Sequence, residues 1–468
     1  MRTIVLFFLI GLVACTKTNP NVCCTDAADC SAAGIPNLQA CADGLSCRSH
    51  QCIAETCSTS TDCASDAPYC STSNGLCALT CAQDSECPGA AQTAADLYCI
   101  GAACVECRAD TPSDCPSARP VCEAGTCTGC VEHTDCASGI CAADGSCAPE
   151  PDISYVSPSG GFTSCSALSP CSLTQALTLT RKYIVIDSGT YALTATIHLS
   201  NDTWLVGRGN RPKITNPAHG YIIMILTGAR VRLANLEISG ATASTTQPGN
   251  GVGCESDGGA ANRTLDLDNM LFTSNAGTAL FDHTCVLTAR RSVFRGNGGG
   301  MGLADIESTI DRCEFSQNGE GVYSDSGVTK ITNSFAFRNA GNGFHLFGDP
   351  AATPIQFSTS VDNTGYGLVL EQSGTTNSSN NILARNGQGS LYCFAGNNQC
   401  LYDGTIALTG SDISALHFKS PDTQPYDYHL TAGSSAIDAA VTATLDHDFD
   451  GDARPKGAGR DVGADEAQ

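Results

Sequence analysis

The chain has 468 residues, 42% hydrophobic and only 15% charged, with 48 Gly, 30 Cys, one Trp and a formal net charge of −23. That length allows two or three domains, and a surface this acidic repels phosphate, which excludes a protein that coats nucleic acid. No apolar run after the N-terminus approaches the roughly 20 residues a spanning helix needs, and so many cysteines point to an oxidising compartment.

Met1 and Arg2 precede an apolar stretch from Ile4 to Val13, too short to span a bilayer but suited to the core of a signal peptide. The stretch ends Leu12-Val13-Ala14-Cys15, which resembles the bacterial lipoprotein box. The resemblance implies a signal peptide over 1–14, lipidation of Cys15, a tether over 15–22 and a membrane held through the lipid. An ordinary secretory peptide with an unrelated cysteine is the alternative. Thr16 and Lys17 follow Cys15 with no adjacent Asp; by analogy with Gram-negative sorting, this places the protein at the outer membrane or cell surface.

Residues 23–147 hold 22 cysteines but only 12 Leu, Ile and Val, with no Phe or Trp. Too little apolar surface is available there to offset chain entropy, so cross-links must supply the stability. Four-cysteine units begin near Cys24, Cys57, Cys81, Cys107 and Cys130, the second cysteine usually following five intervening residues. Cys23 and Cys41 remain as an extra pair. Cys104-Val-Glu-Cys107 and Cys127-Thr-Gly-Cys130 have zinc-site spacing, but they straddle the unit boundaries and an exported chain favours disulfides. The segment loosely resembles the Cys-rich modules of surface lipoproteins, which implies a spacer rather than an enzyme. Residues 148–152 read as a linker.

From Ile153 the composition turns to Gly, Asn, Ser, Thr and β-branched residues. One short helix is expected where Ser172-Leu173-Thr174-Gln175 fits a capping box, and Cys165 and Cys171 flank the loop before it. An Asn then recurs at 275, 297, 318, 339, 363 and 386. Phe272, Phe294, Phe315 and Ala336 stand three residues before it; Met270, Ser292, Cys313 and Ser334 stand five before. A period of 21–24 is one coil of a parallel β-helix, with equivalent side chains stacked about 4.8 Å apart. The fold class is therefore all-β: a parallel β-helix solenoid over 153–425 with a C-terminal cap over 426–468, preceded by a disulfide-rich region of little regular structure.

Tyr155-Val156-Ser157-Pro158-Ser159-Gly160, Leu205-Val206-Gly207-Arg208-Gly209 and Leu233-Ala234-Asn235-Leu236-Glu237-Ile238-Ser239-Gly240 resemble the entry and first coils of the pectin-lyase-like superfamily. The run from Asp446 to Pro455, the ending Asp461-Val462-Gly463-Ala464-Asp465-Glu466 and the preceding Ser435-Ala436-Ile437-Asp438 are similar to the end of choice-of-anchor Q proteins, which usually have Tyr where this chain has Asp465. These likenesses imply a right-handed parallel β-helix and export; the superfamily mixes lyases, hydrolases, adhesins and non-enzymes. The Asn-Thr-Asp, Asp-Asp, Gly-His-Gly and Arg-Ile-Lys motifs of polygalacturonases are absent, as is the Arg-x-Pro-x-x-Arg element of pectate lyases.

Asp282, Asp305 and Asp325 follow their ladder Asn by seven, eight and seven residues, the offset being assigned to the extra Gly in 298–300. In register they would form one column of carboxylates with His283 and His345 nearby. Solvated turns, a calcium site, and a catalytic or sugar-binding face all remain open readings. Asp446, Asp448, Asp450 and Asp452 suggest a calcium site, but Gly457 stands where an EF-hand needs Glu; a structural cap with Arg454 is the simpler account. No cofactor is required, and calcium is the one ion these groups suggest. Cys393 with Cys400 and Cys254 with Cys285 are candidate disulfides. Cys313, in an inward column, is the candidate free thiol. Arg291 and Arg312 share a turn position, more often structural than catalytic. The expected function is a surface lipoprotein whose coil binds carbohydrate or another surface without catalysis; a polysaccharide lyase or glycoside hydrolase, and a structural envelope component, are the alternatives.

Overall fold

The computed structural model describes residues 45–48, 51–54, 57–58, 69–71, 76–78, 80–87, 98–109, 111–216, 220–226, 228–254, 263–304, 306–325, 327–348, 355–372, 375–394, 399–441 and 444–467. Cys15, Cys23 and Cys41 lie outside them. The chain divides into two compact units, 1–148 and 149–468.

In the first unit the repeats that begin at Cys81, Cys107 and Cys130 build the same small device. The third and fourth cysteines face each other across an antiparallel hairpin, as in Cys99↔Cys104 and Cys122↔Cys127. The first bonds the third and the second the fourth: Cys81–Cys99 with Cys87–Cys104, Cys107–Cys122 with Cys115–Cys127, and Cys130–Cys141 with Cys136–Cys147. The two halves of each zinc-like spacing thus belong to different disulfide pairs. An acidic residue just before the second cysteine closes the short 3-10 turn ahead of it: Asp135 accepts the backbone N–H groups of Val131 and Glu132, each at 2.9 Å.

Among the described residues of the second unit the chain winds through three parallel sheets of eleven, ten and nine strands, each strand pairing with its counterpart one coil away. The first sheet begins with Ile153–Val156. The helix expected near residue 173 is α1 (Leu173–Thr178), whose N-cap Ser172 hydroxyl accepts the Gln175 N–H at 3.2 Å. Its two flanking cysteines, Cys165 and Cys171, form a disulfide.

Inside the coil, Leu205, Leu233, Leu267, Ala289, Ile310 and Ile331 stack in register on the first sheet. On the second sheet Phe272, Phe294 and Phe315 form an aromatic column, with ring centroids 4.7 and 4.9 Å apart and planes within 12° of parallel. Ala336 follows in that register, and Phe344 from the third sheet meets Phe315 edge-on at 6.3 Å. The ladder asparagines are buried and linked by their amides. Asn275 donates to Asn297 at 2.9 Å, Asn297 to Asn318 at 3.1 Å, Asn318 to Asn339 at 3.2 Å, Asn339 to Asn363 at 2.8 Å and Asn363 to Asn386 at 3.0 Å. Each such bond adds on the order of 1 kcal/mol net, and an unpaired amide inside the coil would cost more.

The turn from the first to the second sheet passes through a left-handed residue in successive coils. Asn235, Asn269, Arg291, Arg312 and Asn333 share this position at φ 53, 52, 51, 53 and 47°, which explains its preference for Asn. The two arginines lie along the coil surface: Arg291 grips Asp268 through Nε at 2.8 Å and Nη2 at 2.7 Å, and Arg312 Nε meets Asp311 at 2.9 Å.

The last strand of the coil ends at Leu408, earlier than the boundary expected at 425. A hairpin of Phe418–Ser420 and Asp427–Leu430 and the C-terminal segment then cover the outer face of the second sheet, packing Leu416, Phe418, Tyr428, Val462 and Ala464 on Phe335, Phe337, Val361 and Ile382. Arg454 ties this cap together with its side chain fully buried. It donates to the carbonyls of His447 (3.1 Å), Asp461 (3.0 Å) and Gly463 (2.8 Å) and to Glu466 Oε2 (2.9 Å).

Candidate functional site

Asp282 and Asp325 do not share a register position. The register sets Asp282 against Leu303, and Leu303 against Ser324; Asp325 lies one residue beyond and is exposed, while Asp305 falls outside the described residues. The extra residue sits in the Asp282 coil. Asn275 is three residues before Thr278, whereas Asn297 is two before its partner Gly299, so counting from the Asn shifts Asp282 by one place and a one-place shift reverses the face.

Asp282 therefore points inward and is fully buried. Its Oδ1 accepts the Thr284 and Cys285 N–H groups at 3.0 and 2.9 Å, while Oδ2 has no hydrogen-bond partner. It stands beside the Cys254–Cys285 disulfide. Burial raises its pKa to about 7 against the opposing pull of those two amides and Arg263. A carboxyl whose folded pKa lies above its unfolded one binds extra protons in the native state. Its contribution is full below the unfolded value near 4 and is lost as pH rises through 7. Between pH 5 and pH 8 the protein is expected to lose roughly 2–3 kcal/mol from this group. Denaturation of Asp282→Asn at both pH values should show that loss abolished, since the amide keeps the acceptor oxygen and carries no charge; an unchanged pH slope would refute the assignment.

The outward side of the third sheet carries a different set. Phe281, Gly302, Tyr323, His345, Val369 and Tyr392 occupy one register position on successive coils. Tyr323 meets His345 edge-on at 5.0 Å, Tyr366 lies 5.3 Å from Tyr392, and Phe281 lies 4.5 Å from His283. A side chain at Gly302 would put its Cβ 3.1 Å from the Phe281 ring, so glycine lets that ring lie flat on the sheet. Carboxylates flank the rings. His345 Nδ1 is 3.3 Å from Glu320 and its Nε2 3.7 Å from Glu371. Glu320 accepts from Asn342 at 2.9 Å, and Tyr323 O–H donates to Asp325 at 3.4 Å. Burial, then Asp325, raises the Tyr323 pKa and keeps it a neutral donor. Tyr392, Phe347 and Phe394 are exposed at 37, 43 and 52%, so the rows end in open aromatic surface. Flat rings beside acceptors suit a ligand with an apolar face and a hydroxylated edge.

Of the expected site residues, only Asp325 and His345 belong to this face. His283 is nearby beside Phe281, and Asp282 lies beneath it. The aromatic row was missed, although every member of the register position stands five or six residues after a ladder Asn.

The four C-terminal aspartates diverge. Asp446 meets His447 at 2.8 Å, and Asp448 accepts the N–H groups of Asp452 and Glu466 at 2.8 and 3.0 Å. Asp450 stands 3.3 Å from His429, and Asp452 pairs with Lys456 at 2.6 Å. No shared cage for calcium forms among them. Cys313 is a buried free thiol. Cys393 is disulfide-bonded, and the Cys400 side chain lies outside the described residues.

The family model "Right handed beta helix region" matches residues 250–406. Among solved structures, pectate lyase Pel9A is 19% identical with a TM-score of 0.51, over 68% of this chain and 96% of its own. The A-module of Azotobacter vinelandii mannuronan C-5 epimerase AlgE4 is 17% identical (TM-score 0.42) over 48% of this chain and 68% of its own. A rhamnogalacturonan lyase is 14% identical (0.40) over 58% and 91%. The curated proteins contain no significant match. The coil that begins at Ile153 and ends at Leu408 thus has the right-handed β-helix fold.

Proposed function

We propose that the protein binds polysaccharide along the outer face of the third sheet. The observation that carries this reading is the row of Tyr323, His345, Tyr366 and Tyr392 set among Glu320, Asp325 and Glu371. Rings repeated from coil to coil offer stacking platforms along a chain of sugars, and the carboxylates accept hydroxyl donors. Those negative charges favour a neutral glycan over a polyuronate. The test is titration of neutral and acidic polysaccharides into the full chain. Tyr323→Ala and Tyr392→Ala are each expected to weaken binding of a neutral glycan about tenfold, a loss typical of removing an aromatic anchor. Undiminished binding by both variants would sink the proposal.

One feature favours a second reading, catalysis. His345 between two carboxylates is placed to hold and pass a proton. A lyase or hydrolase would release unsaturated or reducing ends from the glycan it binds, and His345→Ala would abolish that release.

The Leu12–Cys15 box and the disulfide-rich repeats support a lipid-anchored surface protein of the outer membrane, with the repeats as its spacer. A Cys15→Ser chain that still partitions into detergent would contradict the anchor.

A further inference from the structure

The C-terminal cap brings together three side chains that neither the coil nor the glycan face uses. His429 lies on the hairpin strand Asp427–Leu430, Asp450 on the loop after Phe449, and Asp465 three residues from the C-terminus. One ligand atom from each lies within 4.8 Å of the other two. We propose that these three residues bind a divalent metal ion of the zinc class, with a fourth position left to water.

The imidazole is oriented for this. Nδ1 faces Asp427 Oδ1 at 2.5 Å, and Lys419 holds the other oxygen of Asp427 at 3.0 Å. A carboxylate on one ring nitrogen fixes the tautomer that leaves the other free to ligate. That other nitrogen, Nε2, is shielded from solvent and makes no hydrogen bond; Asp450 Oδ2 stands 3.3 Å from it. Ligand atoms about 2.0–2.2 Å from one tetrahedral ion are separated by about 3.3–3.5 Å, which matches this pair. Phe335 and Phe449, with ring centroids 5.2 and 5.8 Å from the His429 ring, wall one side and keep its surroundings apolar.

The charge balance argues the same way. Asp465 is buried, its Oδ2 accepts the Leu430 N–H at 2.6 Å, and among the described residues no Lys or Arg pairs with it. A divalent ion on Nε2 would neutralise Asp465 and Asp450 together.

Calcium fits poorly, since it takes six to eight oxygen ligands and no nitrogen, whereas imidazole with two carboxylates suits zinc or its neighbours. Because the ligands come from positions 429, 450 and 465, the ion would fasten hairpin, loop and C-terminal segment to one another.

The experiment is calorimetric titration of zinc into the chelator-treated full chain, with thermal unfolding followed in parallel. The expected result is a saturable site that raises the unfolding temperature. Asp450→Asn, a half-exposed position whose change leaves the cap packed, should weaken zinc at least tenfold and remove the thermal shift. Asp427→Asn, which touches no metal, should weaken it by about 10- to 100-fold. Zinc affinity equal to wild type in both Asp450→Asn and His429→Gln would overturn the proposal, as would calcium binding as tightly as zinc at the same residues.

Discussion

Truncating Phe294 to alanine is expected to destabilise the coil by about 3–5 kcal/mol, the range for emptying a buried aromatic site. The ring lies fully buried between Phe272 and Phe315 and nearly parallel to both. Its loss leaves a void and deprives both neighbours of a stacking face. Ala336 does not argue against this estimate, because Phe344 enters from the third sheet to meet Phe315 where that rung lacks a ring; the equivalent position in the Phe294 coil holds Met301, not a ring. Hydrogen exchange of the Phe272, Phe294 and Phe315 amides reads the effect locally. The double variant with Phe315→Ala should fall short of the summed single losses, since the two share one contact. A loss under 1 kcal/mol would mean that the column is not a cohesive unit.

The second large effect is expected at Arg454. Its guanidinium, wholly buried, serves three carbonyls and Glu466 and lies 4.7 Å from the centre of the Phe357 ring. Arg454→Ala leaves the Glu466 carboxylate buried without its cation, which costs about 3–5 kcal/mol. Arg454→Lys is expected to rescue little, because one ammonium lacks the planar fork that reaches all four acceptors. The damage should appear as faster exchange of the Leu430, Val462 and Gly463 amides while the Asn297 and Asn318 amides stay protected. Equal loss of protection in both regions would show that the cap and the coil unfold as one.

Much of this architecture was legible in the chain. The Asn, Phe and small-residue positions recur at a coil's spacing because each must meet its own copy above and below, so the physics that holds the stack also writes the repeat. The pairing of the Cys-rich units was not legible, since four cysteines allow three connectivities and spacing does not choose among them. The expected alignment of Asp282 with Asp325 failed for a related reason. Two turns can differ by one residue on either side, and sequence shows the difference in length but not which turn contains it. The aromatic face was hidden because outward positions obey no packing rule: Gly302 and Val369 interrupt the row between Phe281, Tyr323, His345 and Tyr392. The His429 cluster was invisible for want of any motif, as its members are 15 and 21 residues apart in the chain and meet only when the cap closes.

Cys313 has a consequence for how the chain matures. Its thiol is buried beside the Ala289 carbonyl, and burial pushes its pKa up to about 12, so in the finished molecule almost none is the reactive thiolate. Before the middle coils wind, nothing of the kind protects it, and it competes with the other 29 cysteines of the chain for oxidation. A wrong partner captured at that stage would wedge the coils apart and keep the thiol from its burial place. The speed of winding around residue 313 thus sets the interval in which mispairing can occur, and slowing that step should raise the yield of scrambled product even when every native disulfide is intact in sequence.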